Sequence, residues 1–215
     1  MMRSKYIGIT GSISTGKSTV TEYLLSKGLK VVDADKIARE VYDSKEVFEK
    51  TVEAFGRDIL KDGKIDRIKL GKKVFGDKEA LDTLSKIVHP QILLNIRREA
   101  LSYDEEVVFL DIPLLIEMID DIKNIIDLAE VWVVYIPEEL QIKRLMARDN
   151  ISKEMALKKI SSQISIEEKK SVANVVIENT GTLSDLYERV DKELRRLKII
   201  TTRKTGGLIT GYKPK

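Results

Sequence analysis

Eight consecutive residues constrain this chain more than any others: Gly11-Ser12-Ile13-Ser14-Thr15-Gly16-Lys17-Ser18 has the spacing G-x-x-x-x-G-K-[ST]. Such a loop holds phosphate when backbone N–H groups converge on a concavity at the start of a helix, where the helix dipole favours negative charge. The flanking residues meet that demand. Tyr6 to Thr10 is a short β-branched run, and Lys17 to Ser26 has helical spacing through Val20, Tyr23 and Leu24 before Gly28 stops it. Strand, loop and helix in that order predict nucleotide phosphates wrapped by Gly11 to Ser18, with Thr19 just behind. Lys17 then reaches the β and γ groups, and the Ser18 hydroxyl joins the shell of a magnesium ion. The competing reading is a turn that caps an ordinary helix through Ser14 or Thr15, which leaves Lys17 unexplained. Glycine is required only where φ is positive or a side chain would strike something, so Ser12 and Ser14 are expected in conformations that tolerate a side chain.

The remaining pattern predicts an α/β fold with a five-stranded parallel sheet flanked by helices. Lys30 to Asp33 reads as the second strand, followed by a helix from Lys36 to Tyr42. Glu106 to Asp111 and Glu130 to Ile136 are apolar enough for the interior of a parallel sheet, and Val175 to Ile177 is a weaker fifth strand. Between the second and third strands the chain turns helical without strands, and His89-Pro90 is expected to bend or restart a long helix there. A charged helical stretch precedes the last strand, and an amphipathic helix from Leu183 to Leu197 closes the fold. The division that follows is a nucleotide-binding core of 1–43, 105–137 and 173–200, a helical acceptor-binding insertion of 44–104, a helical lid of 138–172, and a fraying tail of 201–215.

Composition removes several chemistries. No cysteine means no disulfide, no thiolate nucleophile and no cysteine zinc site, and with His89 as the single histidine there is no all-histidine metal site within one chain. With 38 basic against 35 acidic side chains interleaved along the chain, a nucleic-acid partner is not expected. No run of eighteen apolar residues and no signal-peptide pattern occur, so a cytoplasmic protein without membrane partners is expected.

A loop of this kind serves switches, pumps and kinases. A GTPase switch needs Asn-Lys-x-Asp on a late strand, but the nearest string, Asn124-Ile125-Ile126-Asp127, lacks the lysine and precedes its strand. A pump ATPase places a water-activating carboxylate after an Asp-ended strand; EVVFLD followed by Ile112-Pro113 resembles that arrangement and sets Asp111 near magnesium. Transfer to a small molecule fits the rest better. The insertion can hold an acceptor, and the basic segment can close over ATP to exclude water. Arg144 and Arg148 are four apart on one helical face, able to reach the transferring phosphoryl or stack on adenine, although exposed arginines are often only solvated. Asp33-Ala34-Asp35 ends the second strand at the rim where ligands of parallel sheets bind, so one aspartate is expected to cap a helix and the other to serve as base toward an alcohol.

These residues resemble the dephospho-coenzyme A kinases along nearly the whole chain. The matching segments are GITGSISTGKST, DADKIAREV at Asp33 to Val41, His89-Pro90, IPLLIE at Ile112 to Glu117, RLMARDNIS at Arg144 to Ser152, and VANVVIENTG at Val172 to Gly181. The resemblance implies a P-loop kinase that transfers the ATP γ-phosphoryl to the ribose 3′-hydroxyl of dephospho-coenzyme A, with magnesium. It implies Asp35 as general base, Lys17 as phosphate-positioning cation and Arg148 as a lid residue that stabilises developing charge. Thr10, Arg39, His89, Pro113, Leu114 and Leu115 would line the acceptor site beside Asp35, and Asn179 and Gly181 would approach adenine; His89 reads equally well as a satisfied core residue. Two departures stand out: the family usually has GGIGSGKS in the loop, and usually Ala-Asp where this chain has Ala173-Asn174. Two other readings remain open on sequence: a kinase for another small acceptor, of the nucleoside monophosphate or shikimate type, and a nucleotide-binding module without transfer activity.

Overall fold

The computed structural model of the protein describes residues 4–199, so the expectation for the tail lies outside the described residues. Strand β1 (Lys5–Gly11) runs into the loop and helix α1 (Lys17–Ser26). Strand β2 (Lys30–Asp33) and helix α2 (Ala34–Glu40) follow. Helix α2 starts two residues earlier than the periodicity predicts, because Asp33 caps it by accepting the Lys36 amide at 2.9 Å and so draws Ala34 and Asp35 into the first turn.

After a 3-10 turn at Val41–Asp43 come α3 (Lys45–Phe55), β3 (Leu60–Lys61), β4 (Lys64–Ile65), α4 (Arg67–Val74) and α5 (Lys78–Ser102). Two expectations fail here. The insertion does contain strands: β3 and β4 pair antiparallel across Asp62 and Gly63, whose positive φ values of 50° and 77° form the tight turn that an Asp-Gly pair favours. Helix α5 also runs through Pro90 without a break. Pro90 and Lys86, whose carbonyl loses its partner, both lie on the exposed face, where that carbonyl is open to solvent. Burial on the opposite face holds the helix together: Val88 packs with Val41 and Val47, while Ile96 and Ala100 reach the sheet. One helix therefore serves both the insertion and the sheet.

Strand β5 (Val107–Asp111), helix α6 (Ile119–Ile125) and strand β6 (Leu128–Tyr135) return the chain to the sheet. Then come α7 (Glu138–Asp149), α8 (Lys153–Ile160), α9 (Ile166–Ser171), strand β7 (Val175–Glu178) and helix α10 (Leu183–Arg196). The order in the sheet is β2-β5-β1-β6-β7 with every pairing parallel, so the phosphate loop leaves from the central strand. The first two strands are not neighbours; β5 lies between them.

Alternation of side chains divides the apolar residues of the sheet between its faces. Ile7, Ile9, Phe109, Trp132 and Val134 pack beneath α1 and α10 through Val20, Leu24, Leu186, Val190 and Leu194. Tyr6, Val108, Leu110, Val131 and Val133 face Ile37, Ile96, Ala100, Ile122 and Ile166 from α2, α5, α6 and α9. Arg196 fixes the end of α10 by donating to both Glu130 carboxylate oxygens at 2.8 and 2.6 Å. The Asn174 departure is accommodated where β7 begins. Its Oδ1 accepts the Val131 amide at 2.7 Å and its own amide donates to the Val131 carbonyl, the role an aspartate would fill without needing the charge.

Candidate active site

The framing glycines of the loop are there for two different reasons. A side chain at Gly11 would place its Cβ 2.6 Å from Thr15 Oγ1 and 3.0 Å from the Val134 carbonyl, so the strand cannot pass into the loop with one. Gly16 has φ of 90° and stands at the N-cap of α1, where a Cβ would meet Asn179 Nδ2 at 2.2 Å. Between them the substituted positions behave unequally. Ser12 is buried and donates to Gln163 Oε1 at 3.0 Å; Thr15 donates its hydroxyl to the Ser12 carbonyl at 2.9 Å. Ser14 takes the left-handed conformation at φ 63°, against expectation, and its buried hydroxyl has no partner among the described residues. No side chain caps α1, which excludes the simple capping turn. Among the described residues the amides of Ser14, Gly16, Lys17 and Ser18 donate to no protein acceptor, which leaves them for an anion.

A cleft of 460 Å³ opens above this loop. It is lined by Gly11, Ser12, Ile13, Ser14, Thr15, Gly16, Lys17, Ser18 and Thr19, and across from them by Asp35, Pro113, Arg144 and Arg148. Sequence reasoning did not find its last member, Gln163. Lys17 is mostly buried and is paired with Asp111, whose other oxygen accepts the Thr21 hydroxyl at 2.9 Å. Asp111 thus holds the ammonium at the floor of the cleft. Asp33 is consumed as the cap of α2, which leaves Asp35, exposed in the first turn, as the free carboxylate of the pair. Arg144 donates to the Asn179 carbonyl at 2.9 Å, and Arg148 leans on Asp149 at 2.8 Å. That guanidinium, together with Lys159 at 2.7 Å, holds the Asp149 carboxyl at a pKa of about 2.

The other expected site residues lie around the cleft without lining it. Thr10 is buried and donates to the Pro113 carbonyl at 2.9 Å. Leu115 is fully buried over Gly8, and Leu114 is exposed. Arg39 is exposed one turn beyond Asp35 on the same face of α2. His89 is exposed on α5, so it is not a core histidine. Asn179 sits beneath the loop, its Nδ2 donating to the Thr15 carbonyl at 2.8 Å, and Gly181 packs against Asp185 at the start of α10. Beyond Gln163, sequence reasoning missed Gln141, fully buried, whose Nε2 donates to the Ile13 carbonyl at 2.8 Å. Ile13 itself packs into the small apolar cluster of Leu145, Ala156 and Ile160 between α7 and α8. Loop and lid are thereby joined through three loop residues: Ser12 to Gln163, Ile13 to the apolar cluster and Gln141, and Thr15 through Asn179 to Arg144.

With the loop, the carboxylate and the two arginines on one cleft, the comparisons with known proteins decide the family. The sequence model of the dephospho-CoA kinases matches residues 5–185. The chain belongs to the dephospho-CoA kinase family. A dephospho-CoA kinase of Carboxydothermus hydrogenoformans is 44% identical over 197 residues, covering 89% of this chain and 94% of that protein. Among solved structures, the dephospho-CoA kinase of Campylobacter jejuni is 34% identical with a TM-score of 0.63, covering 90% of this chain and 97% of the other. A Thermus thermophilus protein is 36% identical with a TM-score of 0.77, covering 91% and 98%. The parallel sheet flanked by helices is that of a P-loop kinase, and the chain is a phosphotransferase that uses a nucleotide.

Proposed function

We propose that this kinase moves the γ-phosphoryl of ATP onto the ribose 3′-hydroxyl of dephospho-coenzyme A, the last step of coenzyme A formation. The observation that carries this reading is the convergence of the unpartnered loop amides, Lys17, Arg144, Arg148 and Asp35 on one cleft in a chain of this family. The loop amides receive the β-phosphate, and Lys17 leaves Asp111 to follow the phosphoryl group. Arg148 releases Asp149 and meets charge that develops on the equatorial oxygens, a contribution made mostly by positioning and electrostatics. Asp35 accepts the proton of the attacking hydroxyl. Arg39, one turn on, and Thr10, through Pro113, belong to the acceptor side with His89, Leu114 and Leu115; Asn179 and Gly181 belong to the adenine side.

Among the described residues no group of three or more His, Asp or Glu side chains forms a metal cage. That donor set suits magnesium carried on the nucleotide, which keeps its waters and phosphates and takes few protein ligands. Ser18 would hold it, and it would neutralise charge on the β- and γ-oxygens. The division of labour is a core of 1–43, 105–137 and 173–200, an acceptor domain of 44–104 and a lid of 138–172. Its partners are small molecules, and neither nucleic acid nor a membrane is required; among the described residues no helix is long and apolar enough to cross one. The working compartment is the cytoplasm. Incubation with Mg·ATP and dephospho-coenzyme A, with product read by mass, is expected to give coenzyme A, while shikimate and nucleoside monophosphates stay unchanged. Phosphorylation of one of those acceptors instead would overturn the reading.

A further inference from the structure

One charged side chain is buried completely and has no part in the chemistry above. Lys169 of α9 is wholly shielded from solvent, which lysine tolerates only when it is paired. Its Nζ donates to one Glu117 carboxylate oxygen at 3.1 Å and to the Pro113 carbonyl at 3.2 Å, and it stands 2.8 Å from the other Glu117 oxygen as an ion pair. Each acceptor is shared with another segment. Glu117 also accepts the Ile164 amide at 3.2 Å, and the Pro113 carbonyl also accepts the Thr10 hydroxyl at 2.9 Å. The residue before Ile164 is Gln163, which accepts the Ser12 hydroxyl.

Followed in order, these bonds close a ring. It runs from Ser12 to Gln163 and Ile164, through Glu117 and Lys169 to Pro113 and Thr10, and back along the chain through Gly11. Four of its members, Gly11, Ser12, Pro113 and Gln163, face the cleft from three different segments. The ammonium lies behind them. Burying the ammonium costs desolvation that an apolar side chain of the same volume avoids, while Glu117 keeps 20% of its side chain exposed, so stability alone does not call for a lysine here. A charged centre with two directed bonds and a paired carboxylate does something an apolar contact cannot: it fixes the angle and separation of the groups it holds.

We infer that Lys169 and Glu117 are positioning residues for the transfer, a brace that sets the turn after β5 and the base of the lid against the phosphate loop. The inference rests on the cleft being the site of transfer. The test uses the full chain and four variants: Glu117→Gln, Lys169→Arg, Lys169→Met, and the apolar double variant Lys169→Met with Glu117→Leu. Thermal midpoint, steady-state transfer with Mg·ATP and dephospho-coenzyme A, and hydrogen exchange at the Ile164 amide are read on each. Lys169→Met alone leaves Glu117 without its cation and is expected to be the least stable. The double variant is expected to return to a midpoint near wild type while its kcat/KM stays down by about 10–100-fold, as slight misplacement of a wall can cause. Its Ile164 amide exchanges faster than in wild type. Glu117→Gln, which retains an acceptor, is expected to lose less, and Lys169→Arg, which retains charge and donors, to keep more activity than Lys169→Met. A double variant that regains kcat/KM together with its midpoint would show the pair to be structural and overturn the inference. Absence of transfer in wild type would instead remove the proposed activity, and unchanged Ile164 exchange in the double variant would then still overturn the brace.

Discussion

Ser14 offers a direct measure of what the loop costs to fold. A left-handed conformation disfavours a residue with a Cβ by roughly 1–2 kcal/mol, and Ser14 sits there at φ 63°. Its hydroxyl adds a second cost, since a buried group without a partner forfeits about 1–3 kcal/mol of hydration. Two variants separate the terms. Ser14→Ala removes the hydroxyl and keeps the Cβ, so a gain of about 1 kcal/mol is expected, at the low end because a small void replaces the oxygen. Ser14→Gly also releases the backbone, but glycine gives the unfolded chain about 0.4–1 kcal/mol of extra entropy, so the further gain over alanine is only about 0.5–1 kcal/mol. For a chain of this size each kcal/mol moves the midpoint by about 2–4 °C, which puts Ser14→Gly roughly 3–8 °C above wild type. The melts must be run without nucleotide, because a ligand that binds only the folded state raises every midpoint. The expected order is Gly above Ala above Ser. A glycine variant no more stable than the alanine variant would refute the claim of backbone strain, and an alanine variant below wild type would show that the hydroxyl has a partner after all.

Gly16→Ala meets both a positive φ and the Asn179 amide at 2.2 Å, and is expected to lose more than about 1 kcal/mol together with nucleotide binding; adding Asn179→Ala should recover part of the stability, read by the same melts. Asp35→Asn should lower kcat by about 100-fold or more with little change in the KM for ATP, and an unchanged kcat would reject Asp35 as the base. The Asp149 carboxyl, held by Arg148 first and Lys159 second, should titrate near pH 2 and not near the ordinary aspartate value of about 3.9. Because the folded value is the lower one, the stability this pair adds is present above about pH 4 and is lost as pH falls through about 2. A carboxyl resonance titrating near 4 would show that Arg148 is not held by Asp149.

The parts of the fold that local pattern encodes were legible, and the loop, its strand and its helix are the best example, since spacing and flanking periodicity are properties of neighbours in sequence. The strands of the sheet were legible for the same reason: β5 and β6 are apolar runs that have no stable place except between two helical layers. The hairpin at Asp62-Gly63 was missed because strands of two residues have no period to detect, although the turn pair itself was a usable signal. Pro90 misled because the rule it invokes concerns a helix in isolation. In α5, apolar residues buried on both sides of the proline outweigh one lost hydrogen bond.

The candidate site divides along the same line. Lys17, Ser18, Asp35, Arg144 and Arg148 stand where the sheet and helices must place them, so their meeting in one cleft could be anticipated. Gln141, Gln163 and Lys169 could not. A buried glutamine or lysine has no sequence pattern that distinguishes it from a solvated one; its partner is a carbonyl or hydroxyl from a distant segment, visible only after folding. The departures in the loop give these contacts their meaning. Ser12 is accommodated by Gln163, while the main chain from Ile13 to Thr15 is held through Gln141 and Asn179. Ser12, a position that glycine would leave free, is here tied to the lid, so the loop should hold its shape only while the lid stays docked on it. Removing Gln163 with Gln163→Ala would then loosen the phosphate loop itself, and hydrogen exchange at the Thr15 amide, which donates to the Ser12 carbonyl, should rise without any change in the sheet. Unchanged exchange there would mean that the loop is held by β1 and α1 alone, and that the ties to the lid follow its shape instead of setting it.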